Sequence, residues 1–188
     1  MINYETNNSP FFEANKKYCE AIENQLKSFN YEYAGFCNSY GYEIESTFIR
    51  NSFSFHLKFI KHQTTRNGVV VPVDAADFAG IELEIKGLNP TTKISFGKNK
   101  LKRLFSSKDL MQHIPTPYYF STNLTTNKQS CIQLSKLLLK NNIDSLKINR
   151  GKAILKIISA STASFKFINE LEIAIVNCSY TKPLTKEW

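Results

Sequence analysis

The 188-residue chain has no long apolar run: nowhere do its hydrophobic residues approach the roughly 18 in a row that a spanning helix needs. Its first residues, Met1-Ile-Asn-Tyr-Glu-Thr-Asn-Asn, carry neither a basic stretch nor an apolar one. No secretory leader is visible, and a cytoplasmic protein is expected. Cysteine is scarce and scattered. Cys19, Cys37, Cys131 and Cys178 form no CxxC and no C-x-x-H. That excludes a dense disulfide framework and a zinc site of closely spaced ligands, and four free thiols are the expectation. The seven glycines, at 35, 41, 68, 80, 87, 97 and 151, never take GxxxxGK[ST] or GxGxxG spacing. A standard phosphate loop is excluded, and no cofactor or metal is implied.

Catalytic signatures are missing as well. There is no Gly-x-Ser-x-Gly, and no cysteine has the local surroundings of a catalytic thiol. His56 and His62 lie six residues apart on one strand pattern, roughly 20 Å, too far to share a metal ion. His113 precedes a proline break and reads as a helix-end residue. The pairs Glu43/Glu45, Glu82/Glu84 and Glu170/Glu172 have the two-residue spacing of a solvated strand face. No catalytic residue is assigned, and an enzyme would have to assemble its site from distant positions.

What the chain does contain is charge of one sign in one half. Residues 1–90 hold 8 Lys/Arg against 11 Asp/Glu, a balance of −3. Residues 91–188 hold 16 against 5, a balance of +11, and within 91–156 the only acids are Asp109 and Asp144. Such asymmetry points to an anionic partner or to pairing within the chain. The strongest local feature is Lys98-Asn-Lys-Leu-Lys-Arg-Leu-Phe-Ser-Ser-Lys108, where Leu101, Leu104 and Phe105 read as an apolar anchor in the core. Candidate polyanion-binding residues are Lys98, Lys100, Lys102, Arg103 and Lys108, extended by Lys147, Arg150 and Lys152 around a second turn. With 20 Lys but 4 Arg, and no RRM, KH, zinc-finger or helix-turn-helix pattern, base-specific reading is disfavoured.

Periodicity supplies the elements. Ser9-Pro10 is a helix start, and Phe11, Tyr18, Cys19, Ile22, Leu26 and Phe29 draw one stripe along 10–28. Strands follow at 31–37 and 42–50, around the turn Asn38-Ser39-Tyr40-Gly41. In 52–61, Phe53, Phe55, Leu57 and Phe59 alternate with Ser52, Ser54, His56 and Lys58, a half-buried strand. After an Arg66-Asn67-Gly68 turn come Val69–Val73, an edge or short strand because of Pro72, then 81–86 and 93–96. Residues 98–105 fit strand or helix, 107–113 a short helix and 118–121 a strand. A second long helix has Cys131, Leu134, Leu137 and Leu138 on its core side. Strands at 146–148 and 153–158 and a last strand carrying Phe165, Phe167, Leu171, Ile173 and Ile175 complete the pattern.

The 14 Phe and 9 Tyr belong mainly to these core faces; Tyr31, Tyr33, Tyr40 and Tyr42 are the segment with a recognition surface as its alternative. The fold expected is α+β: mainly antiparallel sheet, two long amphipathic helices packed on one face, and a hint of α-β-β-β duplication. A single domain over 1–178 is expected, with subdomains 1–90 and 91–178 as the alternative and 179–188 a polar tail. The leading functional expectation is a non-catalytic protein-interaction or self-assembly module with a protein partner or a second copy. The alternative is non-sequence-specific binding of nucleic acid or another polyanion through the basic half, with an enzyme third.

Overall fold

Ser9 accepts the Phe11 amide at 3.3 Å and Pro10 occupies the first helical position, so the first helix, α1, runs Pro10–Ser28 as its start signal dictates. In the computed structural model, residues 1–6, 8–62, 64–66, 69–71, 79–106, 108–123, 128–158 and 166–179 are described. The chain divides into two compact units, 1–85 with 156–164 and 86–155 with 165–188. Eleven strands are described, mainly antiparallel. Two of them, β5 (Thr64–Arg66) and β6 (Val69–Val71), pair antiparallel with each other. The Asn67-Gly68 turn, Pro72, Phe165 and residues 180–188 of the expected tail lie outside the described residues.

In the first unit the strand order is β1 (Ile2–Tyr4), β2 (Glu32–Asn38), β3 (Gly41–Arg50), β4 (Phe53–His62), β7 (Ala79–Lys86, of which 79–85 belong to this unit). The β2–β3 turn falls where expected, with Asn38 Oδ1 accepting the amides of Tyr40 and Gly41 at 3.0 and 3.1 Å. On β4, Phe53, Phe55, Leu57 and Phe59 are buried, Ser54 is exposed, and His56 and Lys58 are half-buried on the other side. The two-residue period therefore sorts this strand as read. On α1 the buried stripe is Phe12, Asn15, Cys19, Ile22 and Leu26, spaced three, four, three and four. Phe11, expected to begin the stripe, sits one position round the helix and is exposed. Phe12 begins the stripe instead, and the stripe also takes in Asn15, whose amide donates to Asn38 O at 2.9 Å and accepts Lys61 Nζ at 2.8 Å, which satisfies a polar group inside the core. Strand β1 was not expected: only Ile2 of its three residues is buried, too little for a periodic signal, and its parallel pairing with β2 holds it.

In the second unit the order is β11 (Lys152–Ile158, of which 152–155 belong to this unit), β10 (Ser145–Asn149), β8 (Ile94–Lys98), β9 (Tyr118–Thr122). The described helices here are α2 (Lys100–Leu104), α3 (Lys108–Met111), α4 (Lys128–Lys140) and α5 (Lys166–Ser179). Ile94, Phe96, Phe120, Leu146 and Ile148 form the buried sheet face. Helix α4 buries Cys131, Leu134 and Leu138, leaves Leu137 half-buried, and packs against α5. The β10–β11 turn is tight. Arg150 and Gly151 both have positive φ, and a Cβ on Gly151 would meet Leu88 O at 2.9 Å, so glycine is required there.

The expected last strand is a helix. Ile168, Leu171, Ile175 and Cys178 of α5 are buried at spacings of three and four, while Ile173 points to solvent. Leu171, Ile173 and Ile175 fit a two-residue period because they alternate with Glu170, Glu172 and Ala174, while Ile168, Leu171 and Ile175 fit a helical one equally well. A third helix of more than ten residues replaces the expectation of two, and the second helix is followed by two strands and a helix. The expected α-β-β-β duplication does not appear in this element order.

All four cysteines are buried free thiols, and they sort into two pairs. Cys19 of α1 hydrogen-bonds Cys37 of β2; burial, then the neighbouring Cys37, pushes the Cys19 thiol well above its usual value. Cys131 of α4 is hydrogen-bonded to Cys178 of α5, and also to Thr122 of β9. That bond and burial push Cys178 up, and the same bond draws Cys131 down. Each pair lies within one unit.

Candidate functional site

The buried face of β8, β9 and β10 leaves an opposite, open face whose residues follow from register. Lys147, Ser95 and Ser121 stand directly across the three strands in one row. Together with Lys93, Thr122, Asn123 and Asn149, and with Ile94 and Ile148 beneath, they line a hollow of about 380 Å³. A second hollow of about 280 Å³ shares Ser95 and Ser121 and is bounded by Lys102, Phe105, Ser106 and Tyr119. The two form one groove floored by hydroxyls and edged by ammonium groups.

Its geometry is fixed from below. Ser95 Oγ and Tyr119 OH are 2.8 Å apart, and Lys102 Nζ reaches Tyr119 OH at 3.5 Å while lying 5.3 Å from the centre of that ring. Asn123 is committed to the backbone: its Oδ1 accepts Lys93 N at 2.7 Å and its Nδ2 donates to Thr91 O at 2.8 Å. That leaves the Lys93 ammonium, the Ser121 hydroxyl and Lys147 for whatever enters. Among the described residues, Lys93, Lys102 and Lys147 make no ion pair. Residues 93–106, 118–123 and 145–155 together hold eight Lys/Arg and no Asp or Glu. Cations gathered without a carboxylate repel one another and attract an anion.

Helix α2 borders this groove. Asn99 caps it by accepting the Lys102 amide at 2.9 Å. Arg103 holds it from the inside, donating to Tyr118 O at 2.6 Å and Met111 O at 3.3 Å. Leu101, Leu104 and Phe105 were expected to anchor the segment in the core. They do the reverse, with 70%, 77% and 89% of their surfaces exposed. Helix α2 lies against the sheet through Lys102, on Tyr119, and Arg103, on Tyr118 O, and with those two turned inward the apolar residues face outward.

The eight sequence candidates therefore separate. Lys102 and Lys147 line the groove. Lys100, Lys108 and Arg150 are exposed on α2, at the start of α3 and in the β10–β11 turn, and Lys152 is half-buried at the start of β11. Lys98 is turned to the other face, where Nζ bonds Asp144 Oδ1 at 2.9 Å and lies 5.3 Å from the Tyr118 ring; the Asp144 bond, then Tyr118, raises its pKa. Arg103 is committed to backbone carbonyls. Sequence reading missed Lys93, Ser95, Tyr119 and Ser121, which only strand register brings together. The signal that was legible is the acid-free composition of the segments that carry them.

The open face of the first unit is built differently. Lys58 on β4 bonds Glu43 at 2.5 Å and Glu45 at 2.8 Å across the β3–β4 ladder, and His56 Nε2 lies 3.5 Å from Glu45. Lys156 is paired with Glu82. The Lys58 hydrogen bond, with Lys58 and His56 charges behind it, holds the Glu45 carboxyl below the usual range, and the bonds to Glu43 and Glu45 raise Lys58.

Among the described residues no three His, Cys, Asp or Glu side chains are grouped to hold a metal ion, and no helix is long and apolar enough to cross a membrane. No family model, curated protein or solved structure matches the chain.

Proposed function

We propose that the chain is a non-catalytic binding module that holds a nucleic acid or similar polyanion along the groove of the second unit, without reading base sequence. The observation that carries this reading is a set of three lysines, Lys93, Lys102 and Lys147, that make no ion pair among the described residues and surround two hollows sharing Ser95 and Ser121. Lysine is a point charge suited to phosphate, and hydroxyls add donors without selecting a base. The missing carboxylates matter as much, because one acid in the groove would offset a cation and repel the next phosphate.

The test is binding of a labelled oligonucleotide as a function of salt. Three contacts give a log–log slope of roughly −2 for a single strand and about −2.7 for a duplex, with little difference among sequences. Absence of binding at about 50 mM salt, where such association is strongest, overturns the reading.

A second reading, docking of a protein partner or a second copy, is supported by a separate observation, the outward Leu101, Leu104 and Phe105. Concentration-dependent association in sedimentation, abolished by Leu104→Ser with Phe105→Ser, is its test.

A further inference from the structure

Three large apolar side chains exposed together on a five-residue helix and its cap need a reason, since each forgoes burial in a core. Helix α2 is not loose: the Asn99 cap and the Arg103 bonds to Tyr118 O and Met111 O fix it at both its start and its inner side. The fold thus commits a half-buried guanidinium to holding Leu101, Leu104 and Phe105 in water. Phe105 also borders the groove, beside Lys102 and Ser106. An open aromatic face next to a row of cations is the arrangement that holds a single strand, where phosphates follow the charge and unpaired bases stack on rings. In a duplex the base faces are covered by stacking, and the ridge would have nothing to meet.

Resting on the polyanion reading above, we infer that the ligand is single-stranded nucleic acid, with phosphates at Lys93, Lys102 and Lys147 and bases against Phe105, flanked by Leu104 and Leu101. An anionic bilayer is the competing surface for apolar residues among lysines. The site disfavours it, because Lys147, Ser95 and Ser121 line a hollow in the sheet face and not a flat, projecting surface.

The experiment compares four probes at one salt concentration: a labelled oligothymidylate of about 20 nucleotides, a duplex of equal phosphate number, heparin, and phosphatidylserine vesicles. The expected order places the oligothymidylate above the duplex, with vesicles not bound. Phe105→Ala should weaken the oligothymidylate by about tenfold and leave heparin unchanged, since heparin has charge but no bases. Phe105→Trp, made with Trp188→Phe so that one indole reports, should retain binding, with its emission quenched by the oligothymidylate and not by heparin. Because Phe105 is almost wholly exposed, neither variant threatens folding.

Equal affinity for strand and duplex, or no effect of Phe105→Ala, overturns the stacking inference while leaving the polyanion reading in place. Vesicle binding lost on Phe105→Ala, with no preference for the strand, also overturns it and assigns the ridge to a membrane. Failure of every probe to bind removes both.

Discussion

The open sheet faces of the two units solve the same problem in opposite ways. Each must keep a row of side chains in water opposite a buried apolar row. In the first unit charge is balanced on the spot, with Lys58 between Glu43 and Glu45 and Lys156 on Glu82. In the second unit Lys93, Lys102 and Lys147 edge a groove of hydroxyls with no carboxylate in the segments that form it. A balanced face is complete in itself and gains a few tenths of a kcal/mol per pair, about 1 at most. An unbalanced face is slightly costly while empty and gains when an anion arrives. On the proposed reading, what would set a binding surface apart from a structural one is the absence of acids, not the presence of lysines.

The sharpest way to break this comparison is to remove the unbalanced charges together. Lys93→Gln with Lys102→Gln and Lys147→Gln should lower oligonucleotide affinity by roughly a hundredfold at about 50 mM salt and flatten the salt slope by about 2. Thermal stability should change little, because no ion pair among the described residues is lost and only the long Lys102 contact with Tyr119 is given up. A fall in melting temperature would mean that these lysines are structural after all. Next in size is Arg103→Met, which strands Tyr118 O and Met111 O; a loss of about 1.5–3 kcal/mol in urea unfolding is expected, with weaker binding because α2 is released. Arg103→Lys should fare little better, since one ammonium cannot span both carbonyls as the guanidinium fork does.

In the first unit the effects are smaller and leave binding alone. Lys58→Met removes the cation between two glutamates and should cost about 1 kcal/mol of stability with oligonucleotide affinity unchanged. The smallest effect is the pH response of the same site. Glu45 has a folded pKa below its unfolded one, so its contribution is present at neutral pH and is lost as the pH falls through the folded value. Since Glu45 is largely exposed, the loss amounts to about 0.5 kcal/mol, read as a falling urea midpoint below about pH 4.3. The Lys58→Met protein should show less of it.

How much of this was legible in sequence depends on how local the cause is. The α1 start at Ser9-Pro10, the β2–β3 turn and the alternation of β4 depend on residues a few positions apart, and they stand as read. Helix α5 failed because Leu171, Ile173 and Ile175 satisfy a two-residue period while Ile168, Leu171 and Ile175 satisfy a helical one; packing against α4 decides between them. The α2 ridge failed for a related reason. Leu101, Leu104 and Phe105 have the spacing of a core stripe, and nothing in that spacing says that the sheet will receive Arg103 instead. The groove was half legible: its charge was visible as a run, but Ser95 meets Ser121 and Lys147 only through pairings between strands up to about 50 residues apart.

The cysteine pairs give the chain a built-in stopwatch. A thiol reagent reaches a buried sulfur only when the structure around it opens, so its rate of reaction reports local unfolding rather than surface chemistry. Cys19 with Cys37 reports the first unit, and Cys131 with Cys178 the second. Mass spectrometry that resolves which pair is labelled would time the two units separately in one tube. If an oligonucleotide slowed only the Cys131 and Cys178 clock, it would locate the bound unit without a single substitution.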